Sequence, residues 1–303
     1  MADELLNRPL LASDLDALRS NAWAAKTREL VARYRAEGLP VMNGGFAYSN
    51  LLEGRSQALT CLPYRLWEYS SLFAELPPKR DGELLLDIGG AGAPLAYVLA
   101  EAGRNVLAID LQPVLVALAK HVAAARALPL QARVADVTKD LAELEGKVSA
   151  VTFVSVLEHV PAAGRRAIFD AVARLLVPGG LFYMTFDYGH YGEIDGYVQE
   201  QSASHASRSI EDIGALCGDL ERAGFRFRGN DPRELPAEML ALTTSPAARE
   251  VLWSRAVTTQ PFDAATPWSE IAKYVVKRIF RYTGAQRSRF DQHNFFRMFL
   301  EKA

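Results

Sequence analysis

The stretch ELLLDIGGAGAPLAYVLAEAG, Glu83 to Gly103, decides the fold. Leu84 to Ile88 is a short apolar run, a glycine-rich turn follows, and Leu95, Val98, Leu99 and Ala102 then recur at helical spacing until Gly103 ends the pattern. The reading is strand, turn, helix. Downstream the cycle repeats, with Val106 to Ile109 as a strand and a helix from Pro113 whose apolar face is Leu115, Leu118, Ala119 and Val122. Ala132 to Ala135 reads as a third strand. Val148 to Val156 is a longer Val-rich run, of the kind buried on both faces of a parallel sheet. A helical stripe of Ile168, Ala171, Val172 and Leu175 stops at Pro178-Gly179-Gly180, and Leu181 to Phe186 supplies a fifth strand. Alternation in units of this length implies right-handed βαβ crossovers and a doubly wound, mostly parallel α/β sheet.

Outward from this core the pattern changes. Residues 14–37 read as one amphipathic helix, with Trp23, Leu30, Val31 and Tyr34 on a face and Gly38 near its C-cap. Residues 40–78 mix aromatics, Gly and Pro, as a cap laid over the sheet would. Ile213, Leu216 and Leu220 mark a further helix ended by Gly224, after which Phe225 to Arg228 and Asn294 to Leu300 read as two late strands. The segment between them is too long for a structureless loop and is mostly helical in pattern. The expected organisation is an N-terminal helical cap or lid (1–78), a cofactor-binding core (79–232), a helical insert suited to covering a substrate (233–290) and a final strand returning to the core (291–303). About seven strands are expected.

Composition narrows the function. In 303 residues, Lys+Arg 34 against Asp+Glu 36 gives a formal charge of -2, so there is no global basic field to hold a polyanion and no acidic excess of the disordered kind. No nucleic-acid partner is expected. Cys61 and Cys217 lie far apart without CxxC pairing, which argues against a disulfide scaffold or thiolate zinc site and fits a reducing compartment. Acids are scattered through the first twenty residues, where a signal peptide needs an apolar core, and no apolar run reaches membrane-spanning length. The chain reads as cytoplasmic, processing-free and without a membrane partner. Residues 273–289 carry six basic side chains and no acid, but Ile271, Tyr274, Val275, Ile279 and Tyr282 form an apolar stripe beside them. A solvated helix face is the simpler reading.

Chemistry concentrates where the first strand meets its helix. In DIGGAG, Asp87 to Gly92, the missing Cβ atoms let a ligand lie against backbone at the carboxyl edge, where open α/β sheets bind ligands. Asp110 ends the second strand, where a carboxylate can accept hydrogen bonds from ribose hydroxyls, and Asp136 ends the third at the same edge. A dinucleotide fold needs GxGxxG, but counting from Gly89 gives Ala91 and Pro94, and counting from Gly90 gives Gly92 and Leu95. The third glycine is missing in both registers, and Asp87 would set a carboxylate beside phosphates. A cationic, phosphate-free ligand suits the turn better.

These motifs together resemble the class I methyltransferases that use S-adenosylmethionine. The resemblance rests on ELLLDIGGAG, VLAIDLQP, ARVADV, SVLEHVP at 155–161 and RLLVPGGLFYMTF at 174–186, and covers about residues 80–190. It implies a Rossmann-like core and S-adenosylmethionine as cofactor. Asp87 with Gly89, Gly90 and Gly92 would hold the methionine portion, Asp110 the ribose, and Asp136 with Val137 the adenine edge, with Leu111 and Ser155 completing the cofactor set. Arg65 would pair with the cofactor carboxylate. The family usually has a glycine where this chain has Ala91. RLWEY, Arg65 to Tyr69, also looks like bacterial methyltransferases acting on sugars or secondary metabolites. The expected reaction is in-line methyl transfer to a small molecule, at a hydroxyl oxygen, with His159 as base and Tyr188 and His190 contacting the acceptor. No NPPY-like element follows the fourth strand, which disfavours methylation of exocyclic amines in nucleic-acid bases, and no paired-acid metal site is apparent, so metal independence is expected. The alternatives are an NAD(P)-dependent oxidoreductase, which the absent third glycine disfavours, and a noncatalytic methyltransferase-like partner module, for which Ala91 is the only sign.

Overall fold

A computed structural model describes residues 5–41, 63–188, 210–237, 239 and 294–303. Its centre is an eight-stranded sheet. The strands are β1 (Arg8–Pro9), β2 (Leu85–Ile88), β3 (Val106–Asp110), β4 (Leu130–Val134), β5 (Val148–Val154), β6 (Leu176–Tyr188), β7 (Phe225–Phe227) and β8 (Asn294–Lys302). Their order is β1-β8-β6-β5-β2-β3-β4, with β7 also pairing β8. β2 to β6 pair in parallel, whereas β8 is antiparallel to β6, β7 and β1. The strand beyond the expected seven is the two-residue β1, too short to leave a periodic signal.

Period-two alternation explains the layers. Leu85, Val106, Ala108, Ala150, Leu181, Tyr183 and Phe299 face one core; Leu86, Ile88, Leu107, Ile109, Val151, Phe153, Phe182, Met184 and Met298 face the other. Four helices pack on the first face: α2 (Ala22–Ala36), α3 (Pro63–Glu75), α4 (Pro94–Glu101) and α5 (Pro113–Ala125), preceded by a short α1 (Ala12–Ala17). The second face is covered by α6 (Ala162–Leu175) and α7 (Ile210–Arg222). Trp23 of α2 stacks on Phe73 of α3 at 3.9 Å, and Trp67 and Tyr69 are buried in the same core, so these cap aromatics are spent on packing.

Three local features depart from the periodic reading. The helix expected over 14–37 is two helices, because the Asn21 side chain accepts hydrogen bonds from the Trp23 and Ala24 amides and starts α2 afresh. Pro178-Gly179-Gly180 does not precede the fifth strand but lies inside β6. There the register shifts between the Val148–Leu176 and Ala150–Leu181 pairs, and Gly179 takes φ +70. At the far edge, β7 and β1 share one side of β8, and buried Asn7 bridges them: its Nδ2 donates to the Arg228 and Asn230 carbonyls while its Oδ1 accepts from the Phe299 amide. Among the described residues no helix is long and apolar enough to cross a membrane. Residues 240–293, with the basic segment 273–289 and most of the expected insert, lie outside the described residues, as do Phe46, Tyr48 and Cys61.

Candidate active site at the carboxyl rim

The strand order reverses between β2 and β5, which opens a crevice at their carboxyl ends, the point where doubly wound sheets take ligands. Asp87, the third residue of β2, sits at its floor, 2% exposed. Its Oδ1 accepts a hydrogen bond from Thr152 Oγ1 of β5 at 2.6 Å, while its Oδ2 is buried with no partner. Burial pushes the carboxyl up to about 6; the Thr152 hydroxyl opposes this and the Asp110 charge adds to it. A buried carboxylate with one unused oxygen is costly unless a cationic or donor group completes it.

The turn above is shaped around that carboxylate. The Gly89 amide donates to the Ile109 carbonyl at 2.8 Å, and the residue adopts φ +72, where a Cβ would also meet Val156 at 2.8 Å. A Cβ on Gly90 would drive into the Asp87 carboxylate. Gly92 takes φ +87. Ala91 is not among the residues at positive φ, and its methyl is 2% exposed in the core shared with α3 and α4. The departure from a glycine at this position is therefore absorbed by the core.

Asp110 closes β3, 8% exposed, its Oδ1 accepting from the Gln112 amide at 2.9 Å and its carboxyl raised by burial. Leu111 beside it is 70% exposed, a large apolar side chain offered on the rim. Asp136 behaves differently: its Oδ1 accepts from the Thr138 amide and hydroxyl and its Oδ2 from Lys139, which holds the carboxyl down at about 2. That side chain is tied to its own loop. Val137 is buried.

Ser155 follows β5 at φ +50, and Arg65 of α3 donates through Nη1 to its Oγ and to Glu68 Oε2. His159 ends the one-turn helix Leu157–His159 and is exposed, its amide bonded to the Val156 carbonyl. Tyr188 is the last residue of β6, opposite Asn294; its side chain and all of His190 lie outside the described residues. Two residues at the crevice escaped the sequence reading, Thr152 and Glu68. Each had a signal: a hydroxyl inside the run AVTFV, directly across from Asp87 in the parallel register, and an acid set between Trp67 and Tyr69, three residues after Arg65.

The sheet order and the glycine-shaped rim define the class I methyltransferase fold, the Rossmann-like arrangement in which an antiparallel strand is inserted beside the last parallel one. Within it, residues 85–180 match the family described as "Methyltransferase domain". The chain is 39% identical over 104 residues to a ubiquinone biosynthesis O-methyltransferase of Xanthomonas oryzae pv. oryzae, a match covering 34% of this chain and 43% of that protein. Its counterpart in Xanthomonas axonopodis pv. citri is 40% identical over 123 residues, covering 41% and 48%. The chain thus spans less than half the length of these curated relatives. Among solved structures, a Haemonchus contortus phosphoethanolamine N-methyltransferase bound to phosphomonomethylethanolamine and S-adenosylhomocysteine superposes with TM-score 0.51 at 16% identity, over 77% of this chain and 52% of that one. A geranyl diphosphate methyltransferase bound to its substrate and sinefungin gives 0.50 at 15%, over 80% of each chain. At these identities the two show the fold.

Proposed function

We propose that the protein is an S-adenosylmethionine-dependent methyltransferase acting on a hydroxyl oxygen of a small molecule. The observation that carries this reading is the unpartnered Asp87 Oδ2 beneath a turn whose Gly90 has no room for a Cβ. A ligand with a cationic end and no phosphate completes that oxygen; a pyrophosphate would be repelled by it. When bound, S-adenosylmethionine supplies a methyl group on a sulfonium. The chain's own residues would bind and orient it: Asp87 against the ammonium of the methionine portion, the Gly89 to Gly92 backbone along that portion, Asp110 accepting from the ribose hydroxyls and Leu111 covering the adenine. Arg65 would meet the cofactor carboxylate. Since the Asp136 carboxylate is committed to Lys139 and Thr138, and its amide to Asp140, the adenine edge is better served by the main chain at Val137.

Oxygen is favoured over nitrogen and carbon by the relatives named as O-methyltransferases. His159, exposed at the end of the turn that leaves β5, is the group proposed to accept the hydroxyl proton, and Tyr188 and His190 are proposed acceptor contacts. The test is incubation with S-adenosylmethionine and a panel of phenols, catechols and sugars, followed by mass spectrometry for methylated product and S-adenosylhomocysteine. Product from a hydroxylated acceptor supports the reading, as does a fall in turnover of about 10²-fold in His159→Ala for the base assignment. Tight NADH binding with no binding of the adenosyl compound overturns it. Cofactor binding without turnover on any acceptor would leave the noncatalytic reading in its place.

A further inference from the structure

Helix α3 carries Arg65, Glu68 and Ser71 at three-residue spacing, so the three share a face. Glu68 is 0% exposed. Its Oε1 accepts from Ser155 Oγ at 2.9 Å and from Thr185 Oγ1 at 2.6 Å, its Oε2 accepts from Arg65 Nη1 at 2.8 Å, and its main-chain oxygen accepts from the Tyr183 hydroxyl at 2.6 Å. One buried carboxylate thus joins α3 to the ends of β5 and β6. The pair is closed at its acid end and open at its base end: the Glu68 side chain is 0% exposed and the Arg65 side chain 15%. Burial works against the arginine's charge, but Glu68, Tyr64, Tyr69 and Glu158 outweigh it and keep Arg65 a cation. Ser155, which receives the same Nη1, is held in the left-handed region that a serine adopts only when its surroundings fix it.

The crevice carries both signs of charge. Asp87 of β2 bonds Thr152 of β5, and Ser155, the residue just past the end of that strand, receives Arg65 of α3. That arrangement is complementary to an amino-acid zwitterion, ammonium toward the aspartate and carboxylate toward the guanidinium. We propose that Glu68 is a positioning residue: with Ser155 it fixes the Arg65 guanidinium at the crevice so that the fork receives the carboxylate of the cofactor's amino-acid tail. The inference rests on the rim being an S-adenosylmethionine site, and it assigns to Glu68 a role exerted only through Arg65.

Calorimetric titration with two ligands separates positioning from packing. S-adenosylhomocysteine carries the amino-acid tail; 5′-methylthioadenosine lacks it. Glu68→Gln, which keeps the side-chain volume, is expected to weaken the first by about tenfold, the scale of a hydrogen bond to a charged group. The second should stay within about twofold of wild type, inside the spread of additivity for uncoupled groups. The Arg65→Ala, Glu68→Gln double variant should lose no more than Arg65→Ala alone. Equal weakening of both ligands, no weakening of either, or losses that add would each overturn the proposal. If Glu68→Gln does not fold, Ser155→Gly reads the same selectivity, because it removes the bridging hydroxyl at a φ that glycine tolerates; absence of a selective loss there overturns the proposal too. Wild type that binds neither ligand would bring down the rim assignment as well, an outcome distinct from wild type binding both while the variants match it.

Discussion

Asp87 and Asp136 look alike in the sequence, each an acid at the carboxyl end of a parallel strand, and the protein uses them in opposite ways. Asp87, at the switch point, is buried with one oxygen unpartnered and its carboxyl pushed up to about 6. Asp136, out by edge strand β4, is satisfied by Thr138 and Lys139 and held at about 2. One leaves a buried oxygen unpartnered; the other stabilises its own loop. Position relative to the reversal in strand order, not residue type, separates them.

The Asp87 end of the rim is most sensitive at Gly90. Gly90→Ala places a methyl against the Asp87 carboxylate, which Thr152 holds from behind. Cofactor affinity is expected to fall by more than about 100-fold and stability by about 1–3 kcal/mol, as overpacking does. Ala91→Gly, one residue on, removes a methyl facing the helical core rather than the rim and should leave affinity within about threefold. Calorimetry and denaturant titration of the two variants check this; equal affinity losses would mean that the turn does not face the ligand.

Next in size is Asp110→Ala. If this carboxylate accepts from the ribose, its loss should weaken S-adenosylhomocysteine by about 1.5–3 kcal/mol, the worth of hydrogen bonds to a charged group. Unchanged calorimetric affinity would remove Asp110 from the ribose and leave it as an acceptor for main-chain amides of its own turn.

A smaller effect sharpens the contrast through pH. With its carboxyl near 6 when free of ligand, Asp87 is largely protonated at pH 5 and ionised at pH 7. A ligand ammonium favours the ionised form, so affinity should rise between these pH values by up to about tenfold per unit below the pKa, and binding at pH 6 should release a proton. Titrations in buffers of different ionisation enthalpy measure that release, and Asp87→Asn should abolish it. The sign for stability is the reverse. A carboxyl raised above its unfolded value binds more protons when folded, so through this group the ligand-free protein gains stability as pH falls from about 7 toward 4. A heat of binding independent of buffer would show that Asp87 does not meet the cation.

The sheet was legible because its signals are local and repeated. Leu84 to Ile88 and Val106 to Ile109 announce buried parallel strands by composition, and Asp87 with Asp110 marks the rim by position. Other features were hidden because they depend on partners distant in sequence. The new helix at Asn21 turns on a side-chain cap, and the length of β6 on its pairing with β8, which carries the strand across a bulge that the Pro178-Gly179-Gly180 sequence reads as a stop. The role of Glu68 depends on Ser155 and Thr185, 87 and 117 residues away, and no periodicity encodes that meeting. Nor does sequence distinguish Asp87 from Asp136, since the difference lies in whether Lys139 and Thr138 turn back onto the carboxylate.

The smallest expected effect is at Asp136, and it tests the other half of the contrast. A carboxyl held below its ordinary value stabilises the folded state above that value and loses the contribution as pH falls through the folded one, so this loop should weaken only between about pH 4 and 2. Its partner Lys139 is fully exposed and the carboxylate is 29% exposed, so solvent screening leaves the ion pair little weight. Asp136→Asn keeps an oxygen for the Thr138 amide and hydroxyl and loses the charge that draws Lys139. It should shift the denaturant midpoint at pH 7 only slightly downward and change S-adenosylhomocysteine affinity by less than about twofold. A tenfold loss of affinity in this variant, with stability unchanged, would mean that the Asp136 carboxylate leaves its loop to reach the adenine, and the two acids would then serve the same ligand.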